Sequence, residues 1–525
     1  MRKLFVFISH NLLLAEKENQ SIKLLKKMAF FLMCMSTLLF MFISSYVFQL
    51  LADRRHRLPP GPIPLPLIGN LLDVASELPH RSLARLAGRH GPLITVRLGT
   101  LLTIVASSPS TAREILQTHN GSLTGRSPPD AWLALGHAAN SVFVLPPDRR
   151  WRALRRIGTE HLLSARQLDG ARVRPLLRDG VLDLVRRVSE LAAAAETAPV
   201  EVVHAAFAAM MDLQWRAMFS AGLDDAAARA LHDAAREAVA LSLEPNVSDF
   251  FPALAAADLQ GVRRGFARRV ARVYRLVDEQ IERRMRDRRE AAAAGGGVSS
   301  GGKDLLDVML DMLEEGKDDS VMMSVNRDVT RTFLTVSTIA RNTNHPDTLQ
   351  KLQKELRSVL GSKPYVEHSD VGRLPYLRAA IRETLRLHPV VPLVPNEAEQ
   401  AVEIQGHAVP KGCTVLVNLW AVHRDAGAWP EPDRFVPERF LPRLEETGFV
   451  GTAEFEFIPF SAGRRACLGL PLATRMLHAM LGSLLLRFDW SLQPEAMENG
   501  VDMSESLGLT MTMTTPLKAI AKPRS

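Results

Sequence analysis

Phe460-Ser461-Ala462-Gly463-Arg464-Arg465-Ala466-Cys467-Leu468-Gly469 is the stretch on which the reading of this 525-residue chain turns. A solitary cysteine is ordinarily a small buried hydrophobe. Here glycines stand on both sides of it, and glycine allows backbone conformations and a close approach that a Cβ would block. A flat cofactor can lie against such a loop. Backbone N–H groups and a helix expected to begin at Leu468 would stabilise a thiolate at Cys467, because helix N-termini lower thiol pKa. Arg465, two residues earlier, can reach an anionic cofactor edge.

The rest of the chain supplies the context. Hydrophobic residues make up 46% and charged residues 23%, which excludes a disordered protein and allows a large core. Cys34, Cys413 and Cys467 are too few and too scattered for a disulfide framework or a CxxC zinc site. The net charge of +8 is mild for this length, and the arginines mingle with acids, as where Arg283, Arg284 and Arg286 stand beside Glu282 and Asp287. That pattern reads as a solvated helix face, not a nucleic-acid groove, and suits an acidic protein partner or an anionic membrane surface.

From Met28 to Ala52 the sequence carries no charge, and as a helix at roughly 1.5 Å per residue it covers a ~30 Å hydrocarbon core. It exceeds a signal-peptide h-region of roughly 7 to 15 residues, and no A-x-A comes after it. Residues 28–52 are therefore read as an uncleaved transmembrane anchor. Arg54, Arg55 and Arg57 place the chain beyond residue 52 in the cytosol. Lys23, Lys26 and Lys27 pull the other way, and residues 1–27 are read as an extension that a start at Met28 would remove. Residues 53–70, basic and then Pro-rich through Pro59-Pro60-Gly61-Pro62-Ile63-Pro64-Leu65-Pro66, form an extended hinge, leaving 71–525 as the main domain.

Within that domain, residues 93–105 alternate around Gly99-Thr100 as a strand-turn-strand. Residues 150–290 repeat apolar side chains every three or four positions, as helices do, and AAAAGGGVSSGGKD at 291–304 interrupts them. Lys351–Gly361 and Tyr376–His388 read as further helices, and 401–419 returns to short β segments. The class is mainly α with small β-sheets.

With the cysteine loop these features point to a family. The string resembles the haem-binding loop of cytochrome P450 monooxygenases, Phe-x-x-Gly-x-Arg-x-Cys-x-Gly, at Phe460, Gly463, Arg465, Cys467 and Gly469. The resemblance runs from the Pro-rich strap to the C-terminus and implies the haem-thiolate fold with an N-terminal anchor. It implies haem b, with Cys467 as axial ligand of the iron, where a thiolate pushes electron density towards O–O cleavage. It further implies that Glu383, Arg386 and Arg439 form the buried charge triad locking the core, and that Trp151 and Arg155, four apart on one helix, meet a haem propionate. Asn396 stands after Pro395 where plant relatives often carry a basic residue near the second propionate, which weakens that contact.

The plant terpenoid hydroxylases of the endoplasmic reticulum, of the geraniol and cassadiene hydroxylase kind, are similar at the strap, at Trp420–Asp425 and at Ser504–Thr510. Likeness to them implies a small apolar substrate, walls around Ser127–Leu135, Val390–Val394 and Leu507–Leu509, and electrons from NADPH through NADPH-cytochrome P450 reductase.

One family element is not found. Monooxygenases of the family carry Ala/Gly-Gly-x-Asp/Glu-Thr-Thr on the helix above the haem, with an acid and a hydroxyl that relay protons. The corresponding stretch here runs Asp328-Val329-Thr330-Arg331-Thr332-Phe333-Leu334-Thr335-Val336-Ser337-Thr338, and Thr335, Ser337 and Thr338 are the nearest hydroxyls, with no neighbouring Gly or acid. No catalytic residue is assigned. Impaired oxygen activation is expected, and a defective haem-binding product, a misjoined gene or an O2-independent haem-thiolate isomerase is the alternative.

Overall fold

The structure is a computed structural model and describes residues 27–524, apart from 38, 45, 54, 195–198, 223–224, 243, 295–302, 315–345, 446–448, 450–454, 494–500, 509 and 517. Thr335, Ser337, Thr338, Leu509 and most of the 291–304 break lie outside the described residues. Two compact units are present, Met1–Leu58 with Gly406–Ala408, and Pro59–Gln405 with Val409–Ser525.

The first unit contains the helix α1 (Lys27–Asp53), 27 residues long with a mean hydropathy of 2.0 over its most apolar 18-residue window. Two of its hydroxyls turn inward on the helix itself: Ser36 Oγ donates to the Leu32 carbonyl and Thr37 Oγ1 to that of Met33, both at 2.8 Å. Polar groups so satisfied cost little in an apolar surrounding. This helix is a candidate membrane anchor.

The second unit begins with the Pro-rich segment, which lies along a strand: the Thr95 N–H donates to the Pro60 carbonyl at 2.9 Å. After α2 (Pro79–His90), the alternating residues around Gly99 form the expected hairpin of β1 (Leu93–Leu98) and β2 (Leu101–Ala106). Helices come next, as the apolar spacing predicts: α3 (Arg149–Gly158), α4 (Val173–Ala194), α5 (Val202–Phe219), α6 (Asp225–Ser242) and α7 (Val262–Ala293). On α7 the residues Phe266, Val270, Val273 and Val277 recur at steps of three and four and are all buried, while Arg264, Arg268, Arg272 and Arg275 are exposed and Arg284 and Arg288 pair with Asp304 and Asp307.

Beyond residue 345 come α8 (Pro346–Leu360) and α9 (Pro375–Leu387), then β3 (Leu393–Glu397) and β4 (Thr414–Asn418). One four-stranded sheet results, in the order β1-β2-β4-β3, with β2 and β4 parallel and the outer pairs antiparallel. Helix α10 (Leu470–Arg487) is apolar on nearly every face and is accordingly the central helix, with Leu477, Leu481, Leu484 and Leu485 almost fully buried. The chain closes with β5 (Phe488–Leu492), the hairpin β6 (Glu505–Leu507) and β7 (Met511–Met513), and β8 (Lys518–Pro523), which pairs with β5. Small sheets around a helical core are the mainly α architecture expected.

Candidate active site

Cys467 sits between a short helical turn, Gly463–Arg465, and α10. Its N–H donates to the Phe460 carbonyl at 3.0 Å and the Ala466 N–H to that of Gly463 at 3.1 Å, so the backbone curls around the cysteine and leaves the side chain exposed. Gly463 is required here: φ is +70°, and a Cβ would come 2.1 Å from the Leu116 carbonyl oxygen. The loop thus packs closely on the backbone at Leu116. Gly469 has no such backbone constraint. It has an ordinary right-handed φ of −78°. The helix begins at Leu470, two residues later than the sequence suggested, because Pro471, with no N–H, fits only its first turn. Phe460 is buried and packs edge-on to Phe449, with ring centres 5.8 Å apart.

Helix α3 approaches the loop from the other half of the chain. Asp148 caps it by accepting from the Trp151 N–H at 2.8 Å, and Arg155 falls in its last turn, where a cation suits the helix dipole. Arg155 donates from Nη2 to the Ala466 carbonyl at 2.9 Å, the residue next to Cys467. Trp151 lies between two guanidiniums, Arg155 at 5.0 Å and Arg465 at 4.9 Å from its ring centre. Its Nε1–H donates to the Val142 carbonyl at 3.0 Å. Arg465 is equally engaged, with Nε on the Thr124 carbonyl at 2.9 Å and Nη2 on that of Leu145 at 2.6 Å.

A third guanidinium joins them that sequence reasoning missed. Arg126 donates to the Phe143 carbonyl at 3.1 Å and stacks 4.0 Å above the Phe143 ring, while its buried Nε has no partner among the described residues. Burial, then the charges of Arg465 and Arg155, push Arg126 down to about 9. Burial and Arg155 push Arg465 down to about 10, against the opposing charge of Glu399. An anion placed between them would relieve this repulsion. Nearby hydrogen-bonding groups agree: the Glu397 N–H donates to the Gly125 carbonyl at 2.7 Å, and on either side of that link the buried Asn396 Nδ2 and Thr124 Oγ1 have no partner among the described residues. Haem, a flat dianion with an iron that takes a thiolate, fits this donor set.

The structure also brings Glu383, Arg386 and Arg439 together. Helix α9 is aimed by Glu355 of α8, whose carboxylate accepts from the N–H groups of Tyr376 and Leu377 at 2.8 and 2.9 Å. On α9 the carboxylate of Glu383 accepts two bonds from Arg386, at 2.7 and 2.9 Å, and one from Arg439 at 3.1 Å. Glu383 and Arg386 are fully buried. Arg386 also donates to the carbonyls of His423, Pro432 and Arg434. His423 passes the link on, since its Nε2 accepts from the Ile458 N–H at 3.0 Å and the Ile458 carbonyl accepts from Ser461 at the head of the cysteine loop. Burial and the charges of Arg386 and Arg424 push His423 down to about 3, so it is neutral and can accept.

Comparison with known proteins decides the family. A sequence profile described as Cytochrome P450 matches residues 59–519. The chain belongs to the cytochrome P450 family. This P450 is 37% identical to carnosic acid synthase of Rosmarinus officinalis, over 90% of this chain and 96% of that protein. It is 38% identical to geraniol 8-hydroxylase of Swertia mussotii, over 90% and 94%. It is 39% identical to oryzalexin D synthase of Oryza sativa subsp. japonica, over 88% and 92%. A zebra fish cytochrome P450 solved with progesterone shares the fold with a TM-score of 0.69 at 23% identity, covering 86% of this chain and all of that one. The chain is thus a cytochrome P450 monooxygenase, and the cofactor of its family is haem.

Proposed function

We propose that this P450 hydroxylates a small apolar terpenoid, using O2 and electrons delivered from NADPH by NADPH-cytochrome P450 reductase. The observation that carries the reading is the convergence of the Cys467 loop with the guanidiniums of Arg126, Arg155 and Arg465. Relatives named as geraniol 8-hydroxylase and carnosic acid synthase support the terpenoid class.

In this reading Cys467 holds the iron of haem b, and the three guanidiniums with Asn396 hold its carboxylates. Bound haem supplies the thiolate-ligated iron at which O2 is reduced. The protein's part is to keep the Cys467 loop in shape through the Glu383, Arg386 and Arg439 triad, to balance the carboxylate charge, and to keep the pocket dry. Helix α1 anchors the chain in the endoplasmic-reticulum membrane, and Arg55 and Arg57 beyond it keep the catalytic unit on the cytosolic side. Residues 53–70 join anchor to catalytic unit.

The proton relay is the weak part of this enzyme. With no Gly-x-acid-Thr-Thr segment in the sequence, reductant is consumed with poor coupling to product and peroxide is released. Expressing the chain from Met28 and recording the reduced carbon-monoxide difference spectrum of the membranes tests the site. A thiolate-type band supports it, and a band of protonated-thiol type or none defeats it. Coupling then separates the alternatives: turnover without reductant supports an O2-independent isomerase, and no turnover a defective product.

A further inference from the structure

Glu505 opens strand β6 with its side chain only 2% exposed, yet it lies among cations. Arg81 Nη2 donates to it at 2.6 Å, His388 Nδ1 is 2.8 Å away and His80 Nε2 3.8 Å. Burial by itself would raise this carboxyl, but the hydrogen bond and charge of His388, the nearness of His80 and the hydrogen bond from Arg81 outweigh it and hold Glu505 well below the usual carboxylate range. Arg424, stacked 4.1 Å above the Trp420 ring, adds its charge from a further side.

Three parts of the chain meet at this one carboxylate. Helix α2 contributes His80 and Arg81, the end of α9 contributes His388, and the β6–β7 hairpin contributes Glu505 itself. A second link lies beside the first, where the Met511 N–H donates to the Val390 carbonyl at 2.8 Å. Met511 faces Leu507 in the hairpin register, and both Met511 and Val390 are buried. Val390 is two residues from His388, and Leu507 two from Glu505. The ion pair and the backbone bond therefore clamp the start of Val390–Val394 to the hairpin that carries Leu507.

We propose that Glu505 is a positioning residue for the substrate pocket, fixing through His388 the β6–β7 hairpin against Val390–Val394 and so setting where substrate lies. The proposal rests on the reading of those two segments as pocket walls. A buried ion pair adds little net stability over an apolar filling of the same shape, but it does select one arrangement, and one unpaired member disrupts it.

The test uses the full chain and the variants Glu505→Gln, Glu505→Asp and His388→Gln, with three readouts: the reduced carbon-monoxide spectrum, the haem spectral shift on titration with geraniol, and hydrogen exchange at the Met511 amide. Glu505→Gln should keep the thiolate band, exchange Met511 about tenfold faster and need about tenfold more geraniol for half the shift, with Glu505→Asp closer to the parent. His388→Gln should follow Glu505→Gln. Unchanged Met511 exchange in Glu505→Gln overturns the proposal, and so does loss of the thiolate band in all three variants, which would make the cluster a general support of the fold. A parent chain that shows no geraniol shift would count against the terpenoid reading alone, because Met511 exchange still decides the clamp.

Discussion

Arg155 Nη2 and the Ala466 carbonyl oxygen meet at 2.9 Å, although 311 residues separate them in the chain. The bond ties helix α3 to the residue that precedes Cys467, so the position of the candidate ligand depends on a cation from the other half of the molecule. Replacing Arg155 by Leu removes both this bond and one of three clustered charges. A charge-assisted hydrogen bond is worth about 1.5 to 3 kcal/mol. Arg155→Leu should therefore purify with at least about tenfold less haem per chain than the parent, by pyridine haemochrome assay, while far-ultraviolet circular dichroism stays helical. An equal haem content would contradict the role given to this bond.

The triad is a more severe case. Glu383 accepts from two arginines and from the Val436 N–H at 2.8 Å, and is fully buried. Glu383→Gln leaves Arg386 charged in the core without the carboxylate that takes two of its five hydrogen bonds, a loss of about 3 to 5 kcal/mol for a buried network. Arg439, with 11% of its side chain exposed, can draw on water when its partner goes. Glu383→Gln should thus accumulate little folded protein, and Arg439→Lys should accumulate more but melt earlier than the parent. Equal yields of the two variants would show that Glu383 does not organise the core.

These clusters differ in how far the sequence disclosed them. Cys467 and Arg465 were legible because the backbone itself sets their spacing, and Glu383 and Arg386 because three residues on a helix share a face. Arg126 was not: it stands in a loop between Gly125 and Ser127, has no periodicity, and acquires its meaning only when Phe143, Arg155 and Arg465 fold around it. Glu505 and His388 are silent for the same reason, being 117 residues apart. The two glycines of the loop show another limit of the sequence. A glycine in sequence says that a Cβ is absent, and only the fold shows that Gly463 needs this for the Leu116 backbone while Gly469 adopts an angle open to any residue. The hairpin around Gly99 and the helices of residues 150–290 were legible because a repeating face must be buried, whatever the topology.

Two buried histidines make stability depend on pH. His423 is pushed down to about 3 by burial and by Arg386 and Arg424, and His478 to about 4 by burial and by Arg382, Arg378 and His368. In the unfolded chain both titrate near 6.5. Between the folded and unfolded values the unfolded state binds more protons, so stability is full above about pH 6.5 and falls as the pH drops towards 4. Each histidine contributes a slope of about 1.4 kcal/mol per pH unit in that window. The melting temperature of the full chain should hold steady from pH 8 to 7 and then fall, and His478→Gln should flatten part of the fall. A melting temperature that is level down to pH 4.5 would mean that neither group stays neutral in the core.

Arg126 allows the charge argument to be tested with and without cofactor. In the chain alone its guanidinium is buried next to Arg465 and Arg155 and is pushed down to about 9, so its charge costs stability there. Opposite a bound carboxylate the same charge is favourable, and the two states respond in opposite senses to its removal. Arg126→Met keeps the apolar stem over the Phe143 ring and deletes the charge. The cofactor-free chain should then melt no lower than the parent, while haem should leave for a soluble haem acceptor about tenfold faster, as expected for loss of one charge-assisted contact. Arg126→Lys, which retains charge without the planar fork, should fall between the two. If Arg126→Met stabilised the haem-free and haem-bound chains alike, the three guanidiniums would not be the seat of the cofactor's carboxylates, and their repulsion would be relieved by some other anion.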